Sequence, residues 1–154
     1  MTRLPHTKSG IFIRFKNPEA AGLYNPAWSA VSSGFEIQID NTGAPDGWLK
    51  HRTGAVYGVN YPNDPNQNPG APAPVAGDFV KPQVAAPGSW NAFSIEAQGD
   101  VIAVAVNGVA SAKYTNADPA RGRFLPGEST FVGLQAYSNY SFTTAFRNVQ
   151  VTSL

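Results

Sequence analysis

A chain of 154 residues with a formal net charge of +1, 14% charged residues and no cysteine excludes several classes at once. Its length fits one domain with a substantial core, the lack of any basic run leaves no nucleic-acid footprint, and the lack of thiols rules out disulfides, cysteine nucleophiles and cysteine-type zinc sites. With 15 glycines, 13 prolines and 12% aromatic residues, the composition points to an all-β protein rich in turns, and its aromatic and β-branched content argues against disorder.

Residues 1–8 contain no apolar stretch of the kind a signal peptide needs, and no apolar run approaches the roughly 18 residues of a membrane span. Strands are predicted at 11–15 and 35–40, more weakly at 53–59, then at 90–97, 101–106, 131–137 and 142–151. Each is short, rich in Val, Ile and aromatics, and bounded by Gly, Pro, Asn or Asp. Gln98-Gly99-Asp100 and Asn107-Gly108 read as hairpin turns, the second as the favoured type I′ pair. Together they predict an antiparallel meander over residues 90–115. Two long irregular segments, 16–33 and 60–89, read as loops over one rim of a sandwich. No amphipathic helix of ordinary length and no internal repeat is visible. The predicted architecture is a single domain over residues 1–154, a two-sheet antiparallel jelly-roll sandwich. Phe35, Ile37, Ile39, Ile95, Val104, Val106 and Leu134 are its expected core.

The second strand is the most informative. Phe35, Ile37 and Ile39 alternate with Glu36, Gln38 and Asp40, and a period of two places the two sets on opposite sheet faces. The polar set lines up a carboxylate, an amide and a second carboxylate at steps of about 7 Å. Arg14 and Gln135 are candidate neighbours, and the row reads as a sugar-gripping surface, with an ordinary solvated sheet face as the alternative. Three tryptophans divide: Trp90 is expected in the core, while Trp28 and Trp48 lie in loops, as sugar platforms or as anchors of their own loops.

The order of motifs carries a resemblance. Ser9-Gly10-Ile11-Phe12-Ile13-Arg14, Gly34-Phe35-Glu36-Ile37-Gln38-Ile39-Asp40 and Thr53-Gly54-Ala55-Val56-Tyr57-Gly58 are followed by Trp90-Asn91, Val106-Asn107-Gly108, Gly133-Leu134-Gln135 and Phe146-Arg147-Asn148-Val149. This series resembles the 3-keto-disaccharide hydrolase domain family over nearly the whole chain. The resemblance implies a concanavalin A-like lectin/glucanase sandwich with a ligand on its concave sheet. It also implies strands before Ser9 that are absent here, hence an N-terminally truncated domain open to self-association or to pairing with those strands. A periplasmic or secreted location stays open.

The family name implies a glucose ring with a ketone at C3, which acidifies the C2 hydrogen. Such chemistry needs a base near C2, a stabiliser for the enolate oxygen and an acid for the leaving group. Glu36 is the base candidate, Arg14 the enolate stabiliser or its ion-pair partner, and His51 a base, acid or ligand. Gln38, Asp40, Tyr57 and Gln135 are the substrate-binding candidates, with a turn cap the alternative for Asp40. Glu36, Asp40 and His51 together could hold a divalent cation. Arg147 reads as structural. The expected function is glycosidic cleavage of 3-keto-glycosides by elimination and hydration. The alternatives are a non-catalytic carbohydrate-binding module and an assembly domain whose Pro-rich loop meets a partner.

Overall fold

The computed structural model describes residues 8–19, 27–43, 47–66, 76–86, 88–118, 120–122, 128–136 and 143–152. Among the described residues, six strands fall into two antiparallel three-stranded sheets. The first holds β1 (Ser9–Phe15), β2 (Phe35–Ile39) and β6 (Phe131–Leu134) in the order β2–β1–β6; the second holds β3 (Phe93–Gln98), β4 (Val101–Val106) and β5 (Val109–Thr115) in sequence order. Among the described residues no helix is long and apolar enough to cross a membrane.

Alternation builds the core. In β4, Ile102, Val104 and Val106 are buried while Val101, Ala103 and Ala105 are only half-buried. Across from them, Ile13, Phe35 and Ile37 of the first sheet close a single cluster with Ala112 and Tyr114 of β5. The Phe35 and Tyr114 rings meet edge-on at 5.7 Å, a favoured geometry for aromatic pairs. The β4–β5 hairpin turns at Asn107 and Gly108, with φ of 51° and 77°, the left-handed pair a type I′ turn requires.

Several expectations change. Segment 16–33 contains a short helix, α1 (Ala27–Ser33), whose Ser29, Ala30 and Ser33 face inward. Ser29 Oγ donates to Lys16 O and Ser33 Oγ accepts from Lys16 N, so serines tie the helix to the end of β1. Residues 53–59 form no strand. Their one bridge is Val56 to Ile37, although Tyr57 N and Gly54 N still donate to Glu36 O and Gln38 O. The irregularity comes from Gly54 and Gly58, at φ of 87° and 83°. At Gly54 a side chain would also strike Ser111 Oγ, 2.7 Å away, and that hydroxyl donates to Gly54 O.

The core list is also revised. Phe35, Ile37, Val104 and Val106 are buried, and Ile39 and Ile95 are half-buried. Leu134 is 45% exposed. Its pairing with Ile11 puts it on the core-facing side, but β6 is a terminal strand of its sheet. Trp90 is 49% exposed and is covered by the Arg147 guanidinium, 4.0 Å from its ring centre. It lies just before β3 rather than within the core. The predicted strand at 142–151 forms no ladder over residues 143–151, and Phe142, like Tyr137, lies outside the described residues.

Segment 60–89 departs furthest from the rim loop expected of it. Tyr61, Ala76 and Phe79 are core residues, and the Asn63 amide both accepts from Phe79 N and donates to Phe79 O. Gly77 N and Val80 N donate to Lys113 O and Ser111 O, which lays the segment along β5. Its described part closes the sandwich.

Candidate functional site

The row Glu36, Gln38, Asp40 is buried, with exposures of 7%, 0% and 1%. Register explains what meets it. Gly10 pairs with Gln38 and Phe12 with Glu36 on one side of β1, and Phe12 pairs with Gly133 on the other. Gln135 N donates to Gly10 O at 2.9 Å. In antiparallel pairs directly opposed side chains share a face, so Glu36, Gln38 and Gln135 converge from β2 and β6 on the face turned away from the core. Further along that face, Phe12, Phe15 and Phe131 pack under Ala30 of α1.

Three side chains there carry unmet polar atoms. Glu36 Oε1, both amide atoms of Gln38 and Gln135 Oε1 are buried without a hydrogen-bond partner. Buried polar groups are ordinarily paired, at a cost of roughly 1–3 kcal/mol each when they are not. Four such atoms, on three neighbouring side chains, set this face apart from an ordinary sheet surface. Burial pushes the Glu36 pKa up from 4.5 to about 7, against the opposing influence of the Lys8 charge, a Gln135 side-chain hydrogen bond and the Arg121 charge.

Asp40 takes the alternative reading. Its Oδ1 accepts from Thr42 N, Thr42 Oγ1 and Gly43 N at 2.7–3.0 Å, an Asx-type cap of the turn after β2. Arg14 leaves the polar face. A bulge between Phe12 and Phe15 shifts the β1–β6 register, and Arg14 takes φ of 51°. Phe12 and Phe15 then share one patch, and the Arg14 guanidinium donates to Ala97 O at 2.7 Å and to Gly99 O, both on the β3–β4 hairpin. The expected Arg14–Glu36 neighbourhood is therefore replaced by a tie between the sheets.

His51 lies between two rings, 6.1 Å from Trp48 and 5.4 Å from Tyr57, both stacked, with Lys50 Nζ 3.8 Å from the Trp48 ring centre. The Tyr57 N–H donates to Glu36 O at 2.8 Å, which attaches this aromatic stack to the flank of β2.

A family model for the 3-keto-alpha-glucoside-1,2-lyase-like domain matches residues 1–152. The chain belongs to that family. No curated protein and no solved structure matches it. This 3-keto-glucoside lyase-like domain is thus a carbohydrate-active one.

Among the described residues, no three His, Cys, Asp or Glu side chains are grouped as a metal would need. The set Glu36, Asp40 and His51 is divided, with Asp40 capping its turn and His51 held in the ring stack. Trp28, on α1, is 58% exposed. One charge that bears on Glu36 in the lyase-like domain, that of Arg121, was not legible in the sequence. Arg121 is fixed by Nε to Gly34 O at 2.6 Å and by a terminal nitrogen to Val31 O at 3.2 Å, with its guanidinium 5.1 Å from the Phe35 ring centre. It comes from a Gly- and Pro-rich stretch with no periodicity, and only the fold brings its charge to Glu36. Lys8, one residue before β1, is the other positive charge that lowers the Glu36 pKa.

Proposed function

We propose that the domain cleaves 3-keto-glucosides at the C1–O bond by elimination and hydration, with Glu36 as the base. Glu36 removes the C2 proton, and the C2–H electron pair moves into an enolate over C2, C3 and the keto oxygen. The enolate re-forms the ketone as the pair shifts to a C1–C2 double bond and the C1–O bond breaks. The departing oxygen takes a proton and leaves as the alcohol. Water then adds its oxygen to C1 and a proton returns to C2, giving the free 3-keto sugar.

The observation that supports this reading is a nearly buried carboxylate whose pKa is raised by burial to about 7, beside amide atoms with no partner. A base poised near the working pH combines a useful ionised fraction with real proton affinity. Gln38 and Gln135 offer donors and acceptors for ring hydroxyls and the ketone. The charges of Lys8 and Arg121, which both act on Glu36, supply the positive field for the enolate that the sequence reading sought from Arg14. A carbohydrate-binding module would need the amides but not a titrating base.

The test follows aglycone release from a 3-keto-glucoside and from its unoxidised parent. The keto substrate reacts and the parent does not, because only the ketone makes C2–H acidic. Glu36→Gln lowers the rate by about 10²–10⁴ while substrate still binds. Binding without release by the unaltered domain would establish the lectin-like alternative. Equal release from both substrates would discard elimination.

A further inference from the structure

Gly10 is a glycine inside a strand, a position where glycine costs about 0.5–1 kcal/mol relative to alanine. It is not among the residues with positive φ, so its backbone does not call for glycine. Space does. A Cβ at Gly10 would lie 2.5 Å from Glu36 Oε1, 2.7 Å from Cγ and 2.9 Å from Cδ. These are the atoms of the carboxyl arm itself, and all three distances are below any real carbon contact.

We propose that Gly10 is the positioning residue for Glu36: its bare Cα is the seat on which the carboxyl group lies flat against β1. The inference rests on the reading of Glu36 as the base. The neighbours fit the role. Ser9 Oγ donates to Gln135 O at 2.8 Å and Gln135 N donates to Gly10 O at 2.9 Å, so the residue before the seat and the seat itself fix β6 at Gln135. The Gln135 side chain in turn lies close enough to the Glu36 carboxylate to favour its ionised form. The carboxyl is thereby held between strand and amide, with Oε1 out of water and without a partner. A methyl group at position 10 lifts the arm off the sheet, toward water and away from its fixed place in the site.

Three measurements on Gly10→Ala test this, and two need no substrate. The first is the protonation midpoint of Glu36, followed by its carboxylate infrared band against a Glu36→Gln reference. It moves from about 7 toward the ordinary glutamate value. The second is a double-mutant cycle in melting temperature: Gly10→Ala lowers Tm in the parent and much less in a Glu36→Ala background, where the arm is gone. The third is turnover of the 3-keto-glucoside, where kcat falls at least about tenfold with KM changed less than about threefold. If Gly10→Ala fails to fold but Gly10→Ala with Glu36→Ala does fold, the seat is equally supported. An unchanged midpoint with equal Tm losses in both backgrounds overturns it. A shifted midpoint in a protein whose parent form does not cleave the substrate keeps the seat and rejects the base reading.

Discussion

Glu36 pays for its position in stability, and the sign can be stated. Its native pKa is raised from 4.5 to about 7, so between those values the folded protein holds a proton that the unfolded chain has released. Its contribution is full below pH 4.5, falls as pH rises through about 7, and is then gone. A displacement of this size corresponds to a loss on the order of 3 kcal/mol. Glu36→Gln, which never ionises, is therefore expected to raise the melting temperature at pH 8 more than at pH 5, read by thermal denaturation at both values. With Glu36 as the base, activity is expected to run the other way and to climb as Glu36 ionises. That Glu36 and Gln38 share a face was legible in the sequence, because a period of two fixes it. That the face would be buried was not, because burial depends on what covers a strand. Arg14 was misread for a related reason. Alternation puts it beside Phe12 and Glu36 only if β1 is regular, and the bulge opposite Phe131 is a property of the strand pair. Arg14→Ala is expected to cost about 1–2 kcal/mol by removing the carbonyl bonds between the sheets. It should leave the pH midpoint of Glu36 in place, which a urea titration and the infrared titration check separately.

Among the elements, the strands with paired turn signals were the easiest to foresee. Asn107-Gly108 encodes its own backbone, and β4 follows directly from Val-Ile-Ala-Val-Ala-Val. Helix α1 has only seven residues, too few to display a helical period. It is held by serine hydroxyls rather than by an apolar stripe. The prolines that punctuate segment 60–89 point to a rim loop, yet its aromatics, Tyr61 and Phe79, belong to the core. The Tyr61 hydroxyl meets Val56 N at 2.7 Å, and its ring packs 5.3 Å from Phe79. Phe79→Ala should accordingly cost about 3–5 kcal/mol, and Asn63→Ala a smaller amount by releasing both main-chain groups of Phe79. Removing residues 76–86 is expected to abolish cooperative unfolding, seen by calorimetry. A deletion that melts like the parent would restore the reading of a loop outside the core.

At the scale of the molecule, the two sheets divide the work. The apolar faces of both meet in one core, while the outer face of the β2–β1–β6 sheet gathers Glu36, Gln38 and Gln135. The sandwich and the identity of its polar face were readable from alternation and motif order. The partners of that face were not, since Lys8, Gly10 and Arg121 reach it only through register and chain reversal. The claim joining these scales is that Glu36 takes the C2 proton of a 3-keto sugar. Its most direct measurement is exchange of the C2 hydrogen of 3-keto-glucose with deuterated water, followed by proton NMR. This substrate carries no aglycone, so leaving-group chemistry does not enter. If Glu36 is the base, exchange by the unaltered domain rises with pH through about 7 and falls by about 10²–10⁴ in Glu36→Gln. Exchange at equal rates in the two proteins would contradict it.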